Sequence, residues 1–218
     1  MRGYHVERRV TESRVLFLIS SSRLIQGLLP QRNEVNNKKT ANHTTNEIRT
    51  NNRKMGQYKA NSLSLRSFSL TNNNKMVGEL VYPKWYSFKA DIIINDKTNY
   101  KFATKGRWKS KLVLQQDDKT LAELKMTWKG VVIKTKFDNK EQNYLLKAKT
   151  FLNRKYVLID TDKNELVLAD TDFQWKKLRC DYDITTTDEF EKLDNKEVLL
   201  FVILHGINYY QTIVAGAA

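Results

Sequence analysis

Beyond residue 76 the chain alternates apolar and polar residues in short runs rich in Val, Ile, Tyr, Trp, Phe and Thr. That is the two-residue period of half-buried β-strands. It predicts strands near 78–82, 85–94, 99–104, 107–115, 120–127, 130–137, 142–150, 154–160, 165–170 and 173–183. Turn residues punctuate them at Asn95-Asp96-Lys97-Thr98, Asp117-Asp118-Lys119-Thr120, Asp138-Asn139-Lys140-Glu141 and Asp162-Lys163-Asn164-Glu165, at steps of 22, 21 and 24 residues. Each step is one hairpin, so the strands form a meander, and closing it removes exposed edges. Thr185-Thr186-Thr187 before Asp188-Glu189 reads as a helix start, with a threonine cap and acids in the first turn.

The pattern then changes. Val198–Ala218 contains no charged residue, and Val198–Val214 is read as an apolar helix. The 21-residue stretch would be about 31 Å long as a helix, enough to cross a bilayer. However, at about 100° per residue His205, Asn208 and Thr212 fall within about 60° of one another on one stripe. Lipid offers that stripe no hydrogen-bond partners, whereas a surrounding barrel does, so the buried helix is favoured over a tail anchor. The expected fold is mainly β, an antiparallel barrel of about 10–12 strands around a central hydrophobic C-terminal helix.

Residues 31–75 are dominated by Asn, Lys, Arg, Thr and Ser without a period, a composition of disorder. The expected division is therefore a basic, Asn-rich tail over 1–75 and the barrel over 76–218, with an added strand near Leu63 to Leu70 as an option. Met55 and Met76 sit where the character changes, so either can be read as the native start of an overextended frame. Met55-Gly56 makes a poor myristoylation signal, since Ala60 stands where Ser or Thr is needed.

Charge bears on the partner. The net charge of +14 suggests nucleic acid until it is divided, with +10 in residues 1–75 and +4 in the rest. The folded part thus carries little of the basicity, and no specific nucleic-acid partner is expected. A single cysteine, Cys180, excludes an internal disulfide and fits a reducing cytoplasm. The apolar run Val15–Ile19 is too short for a secretory signal.

The arrangement resembles the tubby C-terminal-like superfamily, which joins tubby proteins, LURP-one-related proteins and phospholipid scramblases. The resemblance rests on Arg154–Asp160 followed by Glu165–Ala169, the strand with Trp175 and Tyr182, and the helix Val198–Val214, and it covers residues 76 to 218. It implies a barrel of about twelve strands around one hydrophobic helix. Tubby proteins bind phosphoinositide headgroups, scramblases act in membranes with calcium, and LURP-one-related proteins have no established chemistry. None of their ligand positions can be matched here.

Catalytic chemistry finds no footing in the sequence. The folded part holds no G-x-S-x-G, P-loop or G-x-G-x-x-G, and no His/Cys spacing that suits zinc. Asp160-Thr161-Asp162-Lys163-Asn164 starts like a calcium loop, but Glu165 stands where the loop needs Gly and Thr171 where it needs a bidentate Glu. A hairpin turn is the better reading. The expectation is a non-enzymatic protein without metal or cofactor. His205 is read as a satisfied core or mouth histidine.

Basic residues at strand spacing supply the functional clue, because alternate side chains share a face. Arg107, Lys109 and Lys111 lie opposite Trp108, Leu112 and Leu114; Lys134 and Lys136 lie opposite Ile133, Thr135 and Phe137; Lys147 and Lys149 lie opposite Tyr144, Leu146 and Ala148. Adjoining, these faces would suit an anionic surface, although lysine is the usual outward residue of a solvated barrel and Glu123, Asp181 and Asp183 dilute the charge, so the solvated exterior is the preferred reading. Trp85, Trp128 and Trp175 suit either an interface or the core. The expected function is a cytoplasmic, peripheral binding module for anionic lipid headgroups or a protein partner. The alternatives are a lipocalin-like carrier, with the helix packed outside a ligand-filled barrel, and a tail-anchored protein.

Overall fold

The computed structural model describes residues 54–64, 66–84, 86–94, 98–106, 111–150, 155–174 and 179–216. Twelve antiparallel strands close into a barrel in which each pairs with its neighbours in sequence and β1 (Lys54–Ser62) returns to β12 (Arg179–Thr187). Between them run β2 (Phe68–Asn72), β3 (Lys75–Val81), β4 (Ala90–Ile94), β5 (Thr98–Lys105), β6 (Lys111–Gln116), β7 (Lys119–Thr127), β8 (Gly130–Phe137), β9 (Lys140–Thr150), β10 (Lys155–Ile159) and β11 (Glu165–Gln174).

All ten expected strands are present, with edges moved. The run expected over 85–94 starts at Ala90, because the described residues just before it bend and turn instead, with the Ser87 N–H donating to the Lys84 carbonyl at 3.1 Å. The boundary at residue 76 is corrected: β1 and β2 lie before it, and Met76 lies within β3. β1 was hidden because its buried face is Gly56, Tyr58 and Ala60, which offers only one large apolar side chain amid Lys, Asn and Gln. Residues 1–53 of the expected tail lie outside the described residues.

Hairpin chemistry accounts for the recurring turns. Asn73-Asn74, Asp117-Asp118 and Asp138-Asn139 all have positive φ at both residues, the type I′ geometry that matches strand twist and that Asn and Asp tolerate. The calcium-like segment is a turn as expected. The Asp160 carboxylate accepts from the Asn164 backbone N–H (2.8 Å) and side-chain amide (3.0 Å).

The chain leaves β12 through α1 (Asp188–Glu191), where Thr187 Oγ1 accepts from the Phe190 N–H at 3.4 Å and Phe190 is fully buried. Glu191 then ties this end together, accepting from Lys196 Nζ (2.9 Å), Tyr58 Oη (3.1 Å) and Thr186 Oγ1. The Lys196 cation and these hydroxyl donors hold its carboxyl below the usual value against the opposing effect of burial.

α2 (Lys196–Gly216) follows, and its residues 198–209 are buried without interruption. A helix covered on every face is surrounded, and this one touches β3 on one side and β7, β8 and β9 on the other. It therefore fills the lumen. Gly206 marks the closest approach, since a Cβ there would stand 2.8 Å from Leu146 Cδ2 and 3.5 Å from Leu124 Cδ2. The arrangement required by a lipocalin-like carrier, with the helix outside and a ligand within, is not the one found.

Candidate functional site

The polar stripe of α2 meets a cluster at one mouth of the barrel. His205 is fully buried, stacked on Phe102 with ring centroids 3.8 Å apart, and its Nδ1 lies 2.6 Å from the Tyr82 hydroxyl. Asn208 donates to that hydroxyl (3.0 Å) and to the Arg66 carbonyl (3.1 Å). Thr212 accepts from Arg66 Nη2 (2.6 Å) and donates to the Asn208 carbonyl (2.7 Å). With Asn208 donating to Tyr82, the phenol proton points to Nδ1 and the imidazole proton sits on Nε2, which has no partner among the described residues. Burial pushes the His205 pKa down to about 3, aided by the Arg66 charge, and burial pushes the Tyr82 pKa up. The three stripe residues are thus brought together, as one end of a network that docks the helix to the segments 63–67 and 82–89.

The expected lysine surface fares differently. Lys111, Lys134, Lys136 and Lys149 are exposed and Lys147 half-buried, on the outer face that alternation assigns; Arg107 and Lys109 lie outside the described residues. Register separates them, since Lys134 pairs opposite Asn143 and Lys136 opposite Glu141, while Lys147 and Lys149 lie toward the other end of β9. Carboxylates are interleaved as well. Lys111 meets Glu123 (3.5 Å), Lys136 meets Glu141 (3.2 Å) and Lys149 meets Glu165 (2.7 Å). These three lysines thus each meet an acid on a nearby strand, and this part of the exterior is mixed in charge, as a solvated barrel surface is.

The ends of the barrel differ more than its sides. In an up-and-down meander alternate connections share an end, so the rim where α2 leaves the lumen also carries residues 63–64, 66–67, 82–84 and 86–89 and the turn Trp128-Lys129. Every charged residue in these described connections is basic: Arg66, Lys84, Lys89 and Lys129. On the adjoining strand ends the outward carboxylates are Asp91, Asp172 and Asp181, of which Asp181 accepts from Ser62 (2.8 and 2.9 Å), and further in Asp170 is engaged by Lys155 (2.7 Å). At the opposite rim the described connections carry Asp117, Asp118, Asp138, Asp160, Asp162, Asp188, Glu189, Glu191 and Asp194 against Lys163 and Lys192, with Lys75, Lys119 and Lys140 at the adjoining strand ends.

Aromatic residues accompany the basic ones at the exit rim. Lys129 Nζ lies 4.8 Å from the Trp128 ring, Lys84 Nζ 5.9 Å from Tyr86, and the Arg66 guanidinium 5.5 Å from Phe88. Trp128 is 90% exposed and Tyr86 62%, beside Leu63, Ile213 and Val214, which are also exposed. Trp128 therefore does not lie in the core. Trp85 and Trp175 lie outside the described residues.

Strand periodicity missed this rim because it is made of connections. A signal was nevertheless present in the sequence: tryptophans at 85, 108, 128 and 175 follow the same hairpin spacing as the Asp/Asn turns but out of phase with them. Among the described residues no group of three His, Cys, Asp or Glu side chains could hold a metal. No family model, curated protein or solved structure matches the chain.

Proposed function

We propose that this chain is a non-enzymatic, tubby-like barrel that works at the cytoplasmic face of membranes as a binding module for anionic lipid surfaces. The tubby-like part of the reading is supported by the order of elements, a closed twelve-strand barrel followed by an apolar helix in its lumen. The observation that carries the lipid part is the separation of charge between the connections at the two ends of the barrel, all basic at the exit rim and mostly acidic at the other. β8, at about 3.3 Å per residue over its eight residues and tilted as barrel strands are, holds the rims about 20 Å apart. That exceeds twice the Debye length of about 8 Å at physiological salt, so the acidic rim does not cancel the basic one at a charged surface.

Arg66, Lys84, Lys89 and Lys129 near such a surface are worth about 1 kcal/mol each, which suits reversible, salt-sensitive binding. Co-sedimentation of the full chain with phosphatidylcholine vesicles, with and without phosphatidylserine, tests the reading. Recovery with the anionic vesicles alone, lost as salt is raised, is expected. Equal recovery in both pellets at low salt would refute it.

A further inference from the structure

Building on the anionic-lipid reading, we propose that the barrel docks end-on, with the exit rim facing the bilayer and Trp128, Tyr86, Leu63, Ile213 and Val214 entering the headgroup layer. Five large apolar side chains stand exposed at one end of the molecule, drawn from three connections and from the end of α2. They come from opposite sides of the mouth: the connection with Leu63 follows β1, and that with Trp128 follows β7, halfway around the ring of twelve. A planar partner can meet all of them together, whereas a groove would gather them on one side.

The chemistry of the set favours lipid over protein. Aromatic rings of Trp and Tyr settle at the level of headgroups, with the apolar body toward the chains and the polar edge toward water. A lysine beside such a ring places its ammonium at phosphate height while its stem covers apolar surface. Trp128 with Lys129, and Tyr86 with Lys84, repeat that pairing in separate connections.

The rim is also held in shape. Arg66 bonds Thr212 and the Ser87 carbonyl, and Phe88 meets Tyr209 edge-on at 5.0 Å, so Leu63, Tyr86 and the last turn of α2 rest on one hydrogen-bonded base. Preorganised anchors lose little conformational freedom on docking. The opposite rim, with its type I′ turns of Asp and Asn, presents nothing comparable among the described residues beyond Met76.

The test uses the full chain, the variant Trp128→Phe and the double variant Trp128→Ser/Ile213→Ser, with phosphatidylcholine/phosphatidylserine vesicles made with or without brominated acyl chains. Brominated chains should quench wild-type tryptophan emission more than that of Trp128→Phe. The double variant should bind on the order of tenfold more weakly while keeping a thermal midpoint close to wild type, since Trp128 is almost fully exposed and Ile213, partly covered, lies outside the buried core. Anionic vesicles that recover wild type and double variant equally, with no bromine quenching assignable to Trp128, would overturn end-on docking and leave surface binding standing. Failure of the wild type itself to bind anionic vesicles would overturn both readings, and would turn attention to a protein as the rim's partner.

Discussion

His205 makes the stability of this barrel sensitive to mild acid. Its pKa is ordinarily 6.5 and falls to about 3 in the folded chain, chiefly through burial, with the Arg66 charge adding to the effect. Between these values the unfolded chain binds a proton that the folded chain refuses, so stability is complete above pH 6.5 and is lost as pH falls toward 3. Linkage over that window removes about 2 kcal/mol between pH 7 and pH 5, and about 3 kcal/mol by pH 4. A loss of that size is a large fraction of the typical stability of a domain. Glu191, whose carboxyl is held below its ordinary 4.5, contributes stability that is lost only as pH falls through its lowered value, so pH 5 to 6.5 isolates the histidine. The perturbation is His205→Phe, which keeps a ring against Phe102 and leaves Tyr82 its bond from Asn208. At pH 7 the variant leaves the Tyr82 hydroxyl proton without its acceptor, at a cost of about 1–3 kcal/mol, but also removes the unpartnered Nε2 proton, worth about as much in the other direction, so the net change is modest. Urea unfolding of both proteins at pH 7, 6 and 5 is the assay. Wild type should lose about 2 kcal/mol more than the variant across that range. Equal losses would show that His205 is not a buried neutral ring and would refute the account of the mouth network.

A chain begun at Met76 lacks β1 and β2 and should show no cooperative thermal transition by circular dichroism, whereas one begun at Met55 loses only the first residue of β1 and should melt as the full chain does. Gly206→Leu drives a side chain into Leu146 and should lower the urea midpoint by the equivalent of about 1–3 kcal/mol with an unchanged slope. Arg66→Met removes charge-assisted bonds to Thr212 and the Ser87 carbonyl and should cost about 1–3 kcal/mol by the same measurement. Lys111→Gln, Lys136→Gln and Lys149→Gln break exposed ion pairs and should each change stability by less than about 0.5 kcal/mol. By contrast, Lys84→Gln and Lys129→Gln should each weaken binding to anionic vesicles roughly fivefold in co-sedimentation, the equivalent of about 1 kcal/mol.

What was legible in the sequence follows from where tertiary context adds information. Strands β3 to β12 declare themselves because one face of each is buried by large side chains, as with Leu112 and Leu114 or Ile133 and Leu146. β1 does not, because Gly56 and Ala60 leave room for Glu191 and the neighbouring strands, and small residues carry no periodic signal. The stripe His205, Asn208 and Thr212 was readable from helical spacing alone, yet its partners Arg66 and Tyr82 stand more than a hundred residues away in connections that have no period. The outward lysines show a related limit. Alternation fixes which side of a strand a residue takes, but register decides its neighbours, and register put Glu141 opposite Lys136. Hairpin phase was the neglected signal: turns recurring every hairpin mark one end of a meander, and whatever lies between them marks the other.

The same geometry separates two roles that hydrophobicity alone confuses. α2 is long and apolar enough to cross a bilayer, but twelve consecutive residues of it are already covered by the barrel. Moving it into lipid would strip the inner faces of β3, β7, β8 and β9 of their packing. It would also carry His205 and Asn208 into hydrocarbon without Tyr82 and the Arg66 carbonyl, at a cost of several kcal/mol for unsatisfied groups. The lipid gains nothing for the apolar residues that the barrel does not already supply, so the balance falls on the polar stripe, and it opposes insertion. A span and a filled barrel are thus exclusive states of one helix. Only its last exposed turn, Ile213 and Val214, is available to a membrane while the fold is intact, and that turn emerges among the aromatic and basic residues of the exit rim.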